Sequence, residues 1–294
     1  MKNIITIIRP YQWTKNLFVL LPIFFGGRLF VYPDLLRVLL IFVSFCLLSS
    51  AVYCINDIAD IKFDRIHPIK KNRPLASGKI TVKSVITIIV LLLILSIIIL
   101  IPIKFFYFIQ IIIIFFIYLC LNVLYSFKLK HYAIVDVFII GLCFILRVLA
   151  GGVAANVILS QWMILMVFLL SLFLGFAKRK DYFIIDPVKY ENNRNSLKGY
   201  TPFFLNILLT ITSTITIVCY ILYTVSPEIT LRYSSNYVYI STIFVLGGIF
   251  RYLQLSLVYN KGSFPSIIFL KDKIINACVI CWVLFFLFLI YCQR

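Results

Sequence analysis

The chain has 294 residues, of which 63% are hydrophobic and only 13% are charged, and its mean hydropathy is +1.07. A water-soluble domain cannot bury so much apolar surface, so this composition excludes a soluble globular protein and predicts a membrane protein. The formal net charge of +18 would suit a nucleic-acid partner, but the positions of the charges along the chain argue against nucleic acid.

Nine apolar runs are long enough to cross about 30 Å of hydrocarbon as helices. They are residues 16–33, 35–55, 82–103, 105–124, 133–151, 157–177, 202–225, 236–258 and 274–292. Strict alternation of apolar and polar residues is absent, which disfavours a transmembrane barrel. We therefore predict an all-α polytopic membrane protein with nine transmembrane helices, forming a single membrane domain over residues 1–294.

The basic residues predict which side of the membrane each loop faces. Most of the 28 Lys and Arg lie in the amino-terminal segment and in the loops after the second, fourth, sixth and eighth runs. Cytoplasmic loops are enriched in Lys and Arg. We therefore expect the N-terminus and these loops to be cytoplasmic and the C-terminus to lie outside. Topology explains part of the positive charge, and the remainder indicates an anionic partner.

A short acidic stretch follows the second run. Its polar residues are Asn56, Asp57, Asp60 and Asp64. If the helix continues through this stretch, the four side chains lie at about 0°, 100°, 40° and 80° around its axis, on one face. Pro68 is expected to end the helix. Carboxylates on one face repel each other unless a cation holds them, and hard divalent cations prefer oxygen ligands. These four residues are the predicted metal ligands, and the three aspartates are the predicted catalytic residues.

A basic cluster follows the acidic stretch within reach of it. Its members are Lys62, Arg65, Lys70, Lys71, Arg73 and Lys79. Lys and Arg bind phosphate oxygens, and Arg does so with a bidentate fork. Acids beside cations are what a Mg²⁺–diphosphate site requires. The alternative is a solvated loop whose charges only set topology, but topology does not require a one-faced row of acids.

The two neighbouring motifs resemble a known superfamily. N-D-x-x-D-x-x-x-D at 56–64, followed by R-P-L-A-S-G at 73–78, is similar to the first signature of the UbiA-type intramembrane prenyltransferases. This resemblance implies nine helices around a central cavity that opens to the cytoplasmic side, with Mg²⁺ as the cofactor. It also implies an enzyme in the plasma (inner) membrane of a bacterium.

Further stretches resemble one branch of that superfamily, the decaprenyl-phosphate phosphoribosyltransferases. They are R-P-Y-Q-W-T-K-N at 9–16, H-P-I-K-K-N-R-P at 67–74, L-Y-S-F-K-L-K-H at 124–131 and D-V-F-I-I-G-L-C-F-I-L-R-V-L-A-G-G at 136–152. The branch implies transfer of 5-phosphoribosyl from phosphoribosyl diphosphate to a polyprenyl phosphate, with release of diphosphate. The lipid chain length and the oligomeric state stay open.

The second polar loop departs from the ordinary prenyltransferase pattern. Instead of another Asp-rich row it reads A-K-R-K-D-Y-F-I-I-D-P at 177–187. Fewer acids and more cations suit two phosphorylated substrates. The alternatives are conventional prenyl transfer from a prenyl diphosphate to an aromatic or other acceptor, and a transporter. A transporter should carry its charges near the middle of the spans.

The predicted substrate-binding residues are polar groups at the cytoplasmic ends of the spans or charges at membrane depth. They are Lys15, Asn56, Lys70, Lys71, Arg73, Tyr125, Lys128, Lys130, Arg147, Lys178, Arg179 and Asp181. Lys15 belongs to an amphipathic segment, residues 9–16, that would meet the lipid phosphate. Arg147 points within about 20° of Asp136 on one helix and is expected to line a cavity or to have a partner. The roles of Asp136 and Asp186 stay open.

Overall fold

A computed structural model describes residues 2–66, 70–185, 195–259 and 271–292, and these residues are helical without any strand. The α-helices are α1 Lys2–Ile8, α2 Leu21–Phe25, α3 Tyr32–Ile66, α4 Val82–Ile98, α5 Phe105–Phe127, α6 Val135–Ala155, α7 Gln161–Ile185, α8 Pro202–Val225, α9 Pro227–Tyr233, α10 Thr242–Leu253 and α11 Lys273–Leu287. A 3₁₀ helix, Pro10–Leu20, precedes α2, and π-helical turns follow α10 and α11.

Seven helices in the described part of the chain are long and apolar enough to cross a membrane. They are α3, α5, α6, α7, α8, α11 with its π turn, and the continuous segment Val238–Val258 that contains α10. A shorter apolar helix, α4, has 17 residues. Eight of the nine predicted spans therefore coincide with helical segments, and the all-helical class is confirmed, whereas the count of nine transmembrane helices stays a prediction.

The first predicted span, residues 16–33, is not a continuous α-helix. The 3₁₀ helix Pro10–Leu20 gives way to the five-residue α2, which ends at a turn where Gly27 has a φ of 66°. Pro22 has no N–H to donate and Gly27 takes a left-handed conformation, so the backbone cannot maintain one α-helical ladder through this run. A hydropathy run reports the apolar character of a segment and not the kind of helix that it forms.

Helix α3 continues through the acidic stretch, as the sequence predicts. It runs for 35 residues to Ile66, so the acidic stretch 56–64 is helical throughout, as predicted. The prediction that Pro68 ends this helix falls on residues 67–69 and stays a prediction. Residues 67–69, which include His67, lie outside the described residues.

The chain divides into two compact units. The first comprises residues 1–130 and 143–159, and the second comprises residues 131–142 and 160–294. In the first unit, α3 packs against α4, α5 and the 3₁₀ helix. In the second, α7 packs against α8, and α10 packs against both α8 and α11.

Each unit contains a buried apolar cluster. In the first unit, side chains of α1, α3 and α4 meet around Ile7, Cys54 and Val85. In the second, α7, α8 and the α10 segment meet around Phe176, Leu209 and Tyr252. The apolar helices differ in how much of them the protein buries. Of the 18-residue apolar stretch in α5 only 17% is buried, whereas 61% of the corresponding stretch in α3 is buried. Exposed apolar surface on this scale suits contact with lipid chains, because hydrocarbon solvates it as well as protein does.

Candidate active site

The acidic face of α3 lies in the first unit and is buried. Asp57, Asp60 and Asp64 are only 3%, 7% and 3% exposed. A buried carboxylate is costly unless it is paired and hydrogen-bonded. The partners of these three side chains are therefore the central question of the site.

Three basic residues from distant parts of the sequence bond to the three aspartates. Arg9 Nη2 lies 2.5 Å from Asp57 Oδ1. Arg73 Nη1 donates to both Asp57 Oδ1, at 3.1 Å, and Asp64 Oδ2, at 2.6 Å. The buried Lys130 ammonium pairs with Asp60 Oδ1. Of the residues predicted to bind phosphate, the structure thus places Arg73 and Lys130 on the aspartates, and their role toward phosphate stays a prediction.

These contacts divide the acidic face into two hydrogen-bonded groups, and Asn56 belongs to the smaller one. Its Nδ2 donates to Asp60 Oδ2 at 3.1 Å, so Asn56, Asp60 and Lys130 form one group. Asp57 and Asp64 form the other group through Arg73. The Asn56 Oδ1 atom is buried and has no hydrogen-bond partner among the described residues.

The oxygen-rich face fits the Mg²⁺ that the family resemblance implies. Within the described residues, no three Asp, Glu, His or Cys side chains converge into a complete metal site. Mg²⁺ does not require one, because it commonly takes one or two protein carboxylates and completes its shell with substrate phosphates and water. The unpartnered Asn56 Oδ1 is a hard oxygen donor next to Asp60, as such a site needs.

The 3₁₀ helix Pro10–Leu20 docks on α3 beside the aspartates. Trp13 Nε1 donates to Ser50 Oγ at 3.0 Å, and Asn16 Nδ2 donates to Ser49 Oγ at 3.1 Å. Buried polar groups are stable when they are hydrogen-bonded in this way. The contacts of Arg9 with Asp57 and of Asn16 with Ser49 hold the start and the middle of this 3₁₀ helix against α3.

Arg147 of α6 is almost completely buried deeper in the first unit. Its guanidinium donates to Asn16 Oδ1, to the Cys143 carbonyl and to the Tyr118 hydroxyl at 2.9, 2.7 and 2.9 Å. Three aromatic rings lie 5.0–5.2 Å from its Cζ atom. The structure thus gives Arg147 neutral protein partners, and Asp136, which the helical angle placed near it, is bonded elsewhere.

The other residues predicted to bind substrate in the first unit lie around the same region with different exposure. Lys15 is half-buried and its Nζ is 5.9 Å from the Tyr53 ring centroid. Lys70 and Tyr125 are half-buried, whereas Lys71 and Lys128 are exposed. Within this group, the structure brings Lys130 and Arg73 onto the aspartates and leaves the Lys71 and Lys128 side chains at the surface.

A separate buried polar cluster lies in the second unit. Arg179 Nε donates to Asp136 Oδ2 at 2.7 Å, and the Tyr200 hydroxyl donates to Asp136 Oδ1 at 2.9 Å. The Ile134 backbone N–H donates to the same hydroxyl at 2.6 Å. Burial, and then the neighbouring Asp136, raise the pKa of Tyr200, so this hydroxyl stays protonated as the donor. Arg179, predicted to bind substrate, is held by this internal ion pair.

The neighbouring Lys180 and Asp181 are also buried in the second unit. Lys180 Nζ donates to the Ser256 carbonyl at 2.8 Å, within the π-helical turn that follows α10. Asp181 Oδ2 is buried without a hydrogen-bond partner among the described residues. Lys178 is half-buried. Asp186, whose role the sequence left open, lies outside the described residues.

Sequence reasoning missed two members of these clusters. Arg9 was expected only as part of the segment 9–16 that would meet the lipid phosphate, and not at the aspartates. Tyr200 carries no local signal, because its partner Asp136 is 64 residues away. Contacts over such distances in sequence depend on packing and not on periodicity.

The fold and the site together define a class of protein. The described residues form an all-helical integral membrane protein in which one unit pairs three buried carboxylates with three basic side chains. The profile of the UbiA prenyltransferase family matches residues 19–263, and the chain belongs to this family. The resemblance inferred from the motifs is therefore confirmed.

Named relatives agree with the branch suggested by the motifs. The chain is 31% identical over 285 residues to a decaprenyl-phosphate phosphoribosyltransferase of Mycobacterium tuberculosis, covering 96% of this chain and 92% of the relative. It is also 31% identical over 291 residues to the protein of the same name from Mycolicibacterium smegmatis, covering 96% and 90%.

A solved structure shares the fold. It is that of a UbiA homologue from Archaeoglobus fulgidus bound to GPP and Mg²⁺, with a TM-score of 0.70 and 17% identity, covering 98% of this chain and 99% of that one. At this identity the likeness shows a common fold and nothing about the substrates of the present chain.

Proposed function

We propose that this protein transfers 5-phosphoribosyl from phosphoribosyl diphosphate to a polyprenyl phosphate similar to decaprenyl phosphate, releasing diphosphate. The observation that carries the proposal is the buried face of α3, where three aspartates bond to Arg9, Arg73 and Lys130. Such a face offers oxygen ligands for a divalent cation and, next to them, cations for phosphate oxygens. Relatives with the corresponding name over nearly the whole chain support the choice of substrates.

The residues divide into metal-holding and phosphate-binding roles. Asn56, Asp57, Asp60 and Asp64 would hold Mg²⁺, which when bound stabilises the negative charge that develops on the departing diphosphate. Arg73 and Lys130 bind diphosphate oxygens and add to the same stabilisation. The three aspartates and Lys130 are buried, so electrostatic contacts with them are stronger than they would be in solvent.

The bond changes balance without an acid or a base. The bond between ribose C1 and the diphosphate oxygen breaks, and its electron pair leaves with the diphosphate. A lipid phosphate oxygen then forms the new bond to C1 from the opposite face. A phosphate is ionised at neutral pH, with a second pKa near 6 in phosphorylated side chains, so the attacking oxygen has no proton to lose. This suits a chain with only two histidines, neither of which is assigned a catalytic role.

The second polar loop supports this reaction over conventional prenyl transfer. Residues 177–187 lack the second Asp-rich row that would serve a prenyl diphosphate, although two of their three cations, Arg179 and Lys180, bond within the protein. Transfer of a prenyl group to an aromatic or other acceptor is the competing reaction, since the structural relative from Archaeoglobus fulgidus holds GPP and Mg²⁺.

We further propose the membrane arrangement that the basic residues predict. The site faces the cytoplasm from nine helices around a central cavity, in the plasma membrane of a bacterium, with the N-terminus inside. Phosphoribosyl diphosphate, which is highly charged, then reaches the site from the cytoplasm, while the lipid phosphate reaches it from the bilayer.

A thin-layer radioassay tests the reaction. Purified protein in detergent is given Mg²⁺, labelled phosphoribosyl diphosphate and a polyprenyl phosphate. We expect label in a lipid product, lost with EDTA and lowered roughly 100-fold or more by Asp60→Asn, because charge stabilisation at the leaving group is lost. Glu228→Gln, an equivalent exchange at an exposed carboxylate on α9, should leave the rate unchanged.

The competing reaction is tested in the same assay. Transfer from geranyl diphosphate to an aromatic acceptor, together with no phosphoribosyl transfer to several polyprenyl phosphates, would overturn the proposed function. Phosphoribosyl transfer that persists in both EDTA and Asp60→Asn would refute the site.

A further inference from the structure

The 3₁₀ helix Pro10–Leu20 has three distinct faces, because side chains three residues apart eclipse each other in this kind of helix. One face, with Trp13, Asn16 and Val19, lies against the protein. A second, with Tyr11, Thr14 and Leu17, is exposed. The third is half-buried throughout and consists of Gln12, Lys15 and Phe18. A half-buried face at the edge of a site is where a ligand can lie against the protein.

The segment runs antiparallel to α3, away from the aspartates. Its first contact is Arg9 with Asp57, and a later one is Asn16 with Ser49. Seven residues of 3₁₀ helix rise about 14 Å, and eight residues of α-helix rise about 12 Å, so the two elements remain in register. Increasing residue number along the segment therefore means increasing distance from the acidic face.

The half-buried face becomes less polar in the same direction. Gln12 and Lys15 lie at the end near the aspartates, while Phe18 lies deeper, where its ring packs edge-on against Phe144 at 4.8 Å. The ammonium of Lys15 is 5.9 Å from the Tyr53 centroid, and the Arg9 guanidinium is 5.6 Å from the same centroid. From the aspartates inward, this face therefore presents an amide, a cation and an aromatic ring.

Lys15 differs from the other cations of the site in its partners. Arg9, Arg73 and Lys130 each bond to a carboxylate of α3. For Lys15 there is no ion pair with any described carboxylate, and its contact is with a ring. The three aspartates are thus already matched by three basic residues, and Lys15 adds a positive charge that favours a second anion.

We propose that the face formed by Gln12, Lys15 and Phe18 binds the head of the polyprenyl phosphate. Lys15 binds the phosphate, Gln12 donates an amide hydrogen bond to it, and Phe18 packs against the first isoprene units. The polarity of the face matches a ligand with a charged head and an apolar tail. This inference rests on the proposed function and assigns the acceptor a position distinct from that of the diphosphate.

Arg147 is the positioning residue for this face. Its guanidinium bonds to Asn16 Oδ1, while Asn16 Nδ2 bonds to Ser49 on α3. Asn16 is the residue next to Lys15, so Arg147 fixes the backbone from which the Lys15 side chain extends.

Steady-state kinetics with each substrate varied in turn test the assignment. For Lys15→Gln we expect the KM for polyprenyl phosphate to rise about tenfold or more, since charge-assisted hydrogen bonds are about twice as strong as neutral ones. The KM for phosphoribosyl diphosphate should not change. Lys15→Arg should restore the lipid KM to within a few-fold. Lys83→Gln, at an exposed lysine in the first turn of α4, is the matched control.

A binding measurement separates this inference from the proposed function. Thermal unfolding of the detergent-purified wild type is followed with polyprenyl phosphate, the corresponding polyprenol or inorganic phosphate. A ligand that binds only the folded state raises the stability of that state. We therefore expect polyprenyl phosphate to stabilise the wild type more than polyprenol or inorganic phosphate does, and to stabilise Lys15→Gln much less than the wild type. Equal stabilisation by polyprenol, or by inorganic phosphate alone, would overturn the lipid-phosphate assignment.

The outcomes separate the two claims. An active enzyme whose lipid KM is the same in the wild type and Lys15→Gln refutes the acceptor site and leaves the reaction standing. Absence of phosphoribosyl transfer in the wild type refutes the reaction, and the thermal measurement with polyprenyl phosphate then still decides whether Lys15 binds the phosphate.

Discussion

Some charged side chains of this protein are almost completely buried. Arg147 is 4% exposed, yet it keeps three hydrogen bonds to neutral acceptors and three aromatic neighbours. Cation–π contacts are worth most when they are desolvated, and the planar guanidinium can serve several acceptors at once. Among the described residues, this charge on a membrane helix is therefore stabilised without a carboxylate bonded to it.

Replacement of Arg147 should show how much of this stabilisation depends on guanidinium geometry. Arg147→Met leaves Asn16 Oδ1 and the Tyr118 hydroxyl without their donor, so we expect a loss of about 2–3 kcal/mol in the free energy of unfolding. Arg147→Lys should also destabilise, because an ammonium lacks the planar fork. Denaturant titration in detergent measures both. Arg232→Met, on the short helix α9, is the control, and equal stability of all three variants would contradict the prediction.

At the scale of elements, one close approach joins α6 to the 3₁₀ helix in the first unit. A Cβ atom on Gly151 would lie 2.0 Å from the Val19 carbonyl oxygen, which belongs to the backbone. A Cβ atom on the adjacent Gly152 would lie 2.8 Å from the end of the Leu159 side chain. Backbone cannot yield as a side chain can, so the two glycines differ in what they tolerate.

This contrast predicts unequal effects of two adjacent substitutions. Gly151→Ala should cost about 1–3 kcal/mol, as overpacking does, and should raise the KM for polyprenyl phosphate, because it displaces the segment that carries Lys15. Gly152→Ala should be much milder. Thermal unfolding and lipid KM are measured for both. A Gly151→Ala protein that unfolds at the wild-type temperature would disprove the close approach.

Asp272 predicts a pH dependence of stability in the second unit. Its Oδ1 accepts from the backbone N–H groups of Ile274 and Ile275 at the start of α11, and Arg251 donates to its carboxylate. The Arg251 hydrogen bond is the main reason that the pKa of Asp272 lies below its ordinary value. A carboxylate with a lowered folded pKa stabilises above the unfolded pKa, about 3.9, and loses that effect as pH falls through the folded pKa.

We therefore expect Asp272→Ala to be less stable by about 1 kcal/mol at pH 7, as for the loss of other helix caps. The difference from the wild type should persist at pH 5 and shrink below pH 4. Melting temperatures in detergent across this range measure it. A difference that stays constant down to pH 3 would mean that the ionised carboxylate does not contribute.

Features that depend on local periodicity could be predicted from the sequence, whereas contacts that depend on tertiary packing could not. The acidic face of α3 was predictable because it depends only on helical periodicity within nine residues. The kind of helix in residues 10–20 was not, since hydropathy does not distinguish a 3₁₀ helix from an α-helix. Arg9 bonds to a residue 48 positions away, and Arg179 bonds to Asp136 across 43 positions. Only the tertiary packing brings such pairs together.

At the scale of the whole molecule, charge and hydropathy predict how the chain lies in the bilayer. Positive loops remain cytoplasmic, so Lys71 should lie inside, whereas Phe30, near the outer end of the first predicted span, should lie outside. Both side chains are exposed. A membrane-impermeant thiol reagent should label Phe30→Cys in intact cells and Lys71→Cys only in inverted vesicles. The wild type, with its eight cysteines, supplies the background. The opposite pattern would reverse the proposed orientation.

The bridge from Arg73 to Asp57 and Asp64 has a consequence for the order in which ligands arrive. A divalent cation must compete with Arg73 for the same carboxylate oxygens, and phosphate oxygens compete with those carboxylates for Arg73. Binding of the metal therefore frees Arg73 for the diphosphate of the substrate, and binding of the diphosphate frees the carboxylates for the metal. Each ligand consequently increases the affinity for the other by the same factor. Before either arrives, Arg9, Arg73 and Lys130 together balance the charge of the three carboxylates, so the face does not need a metal ion for that purpose.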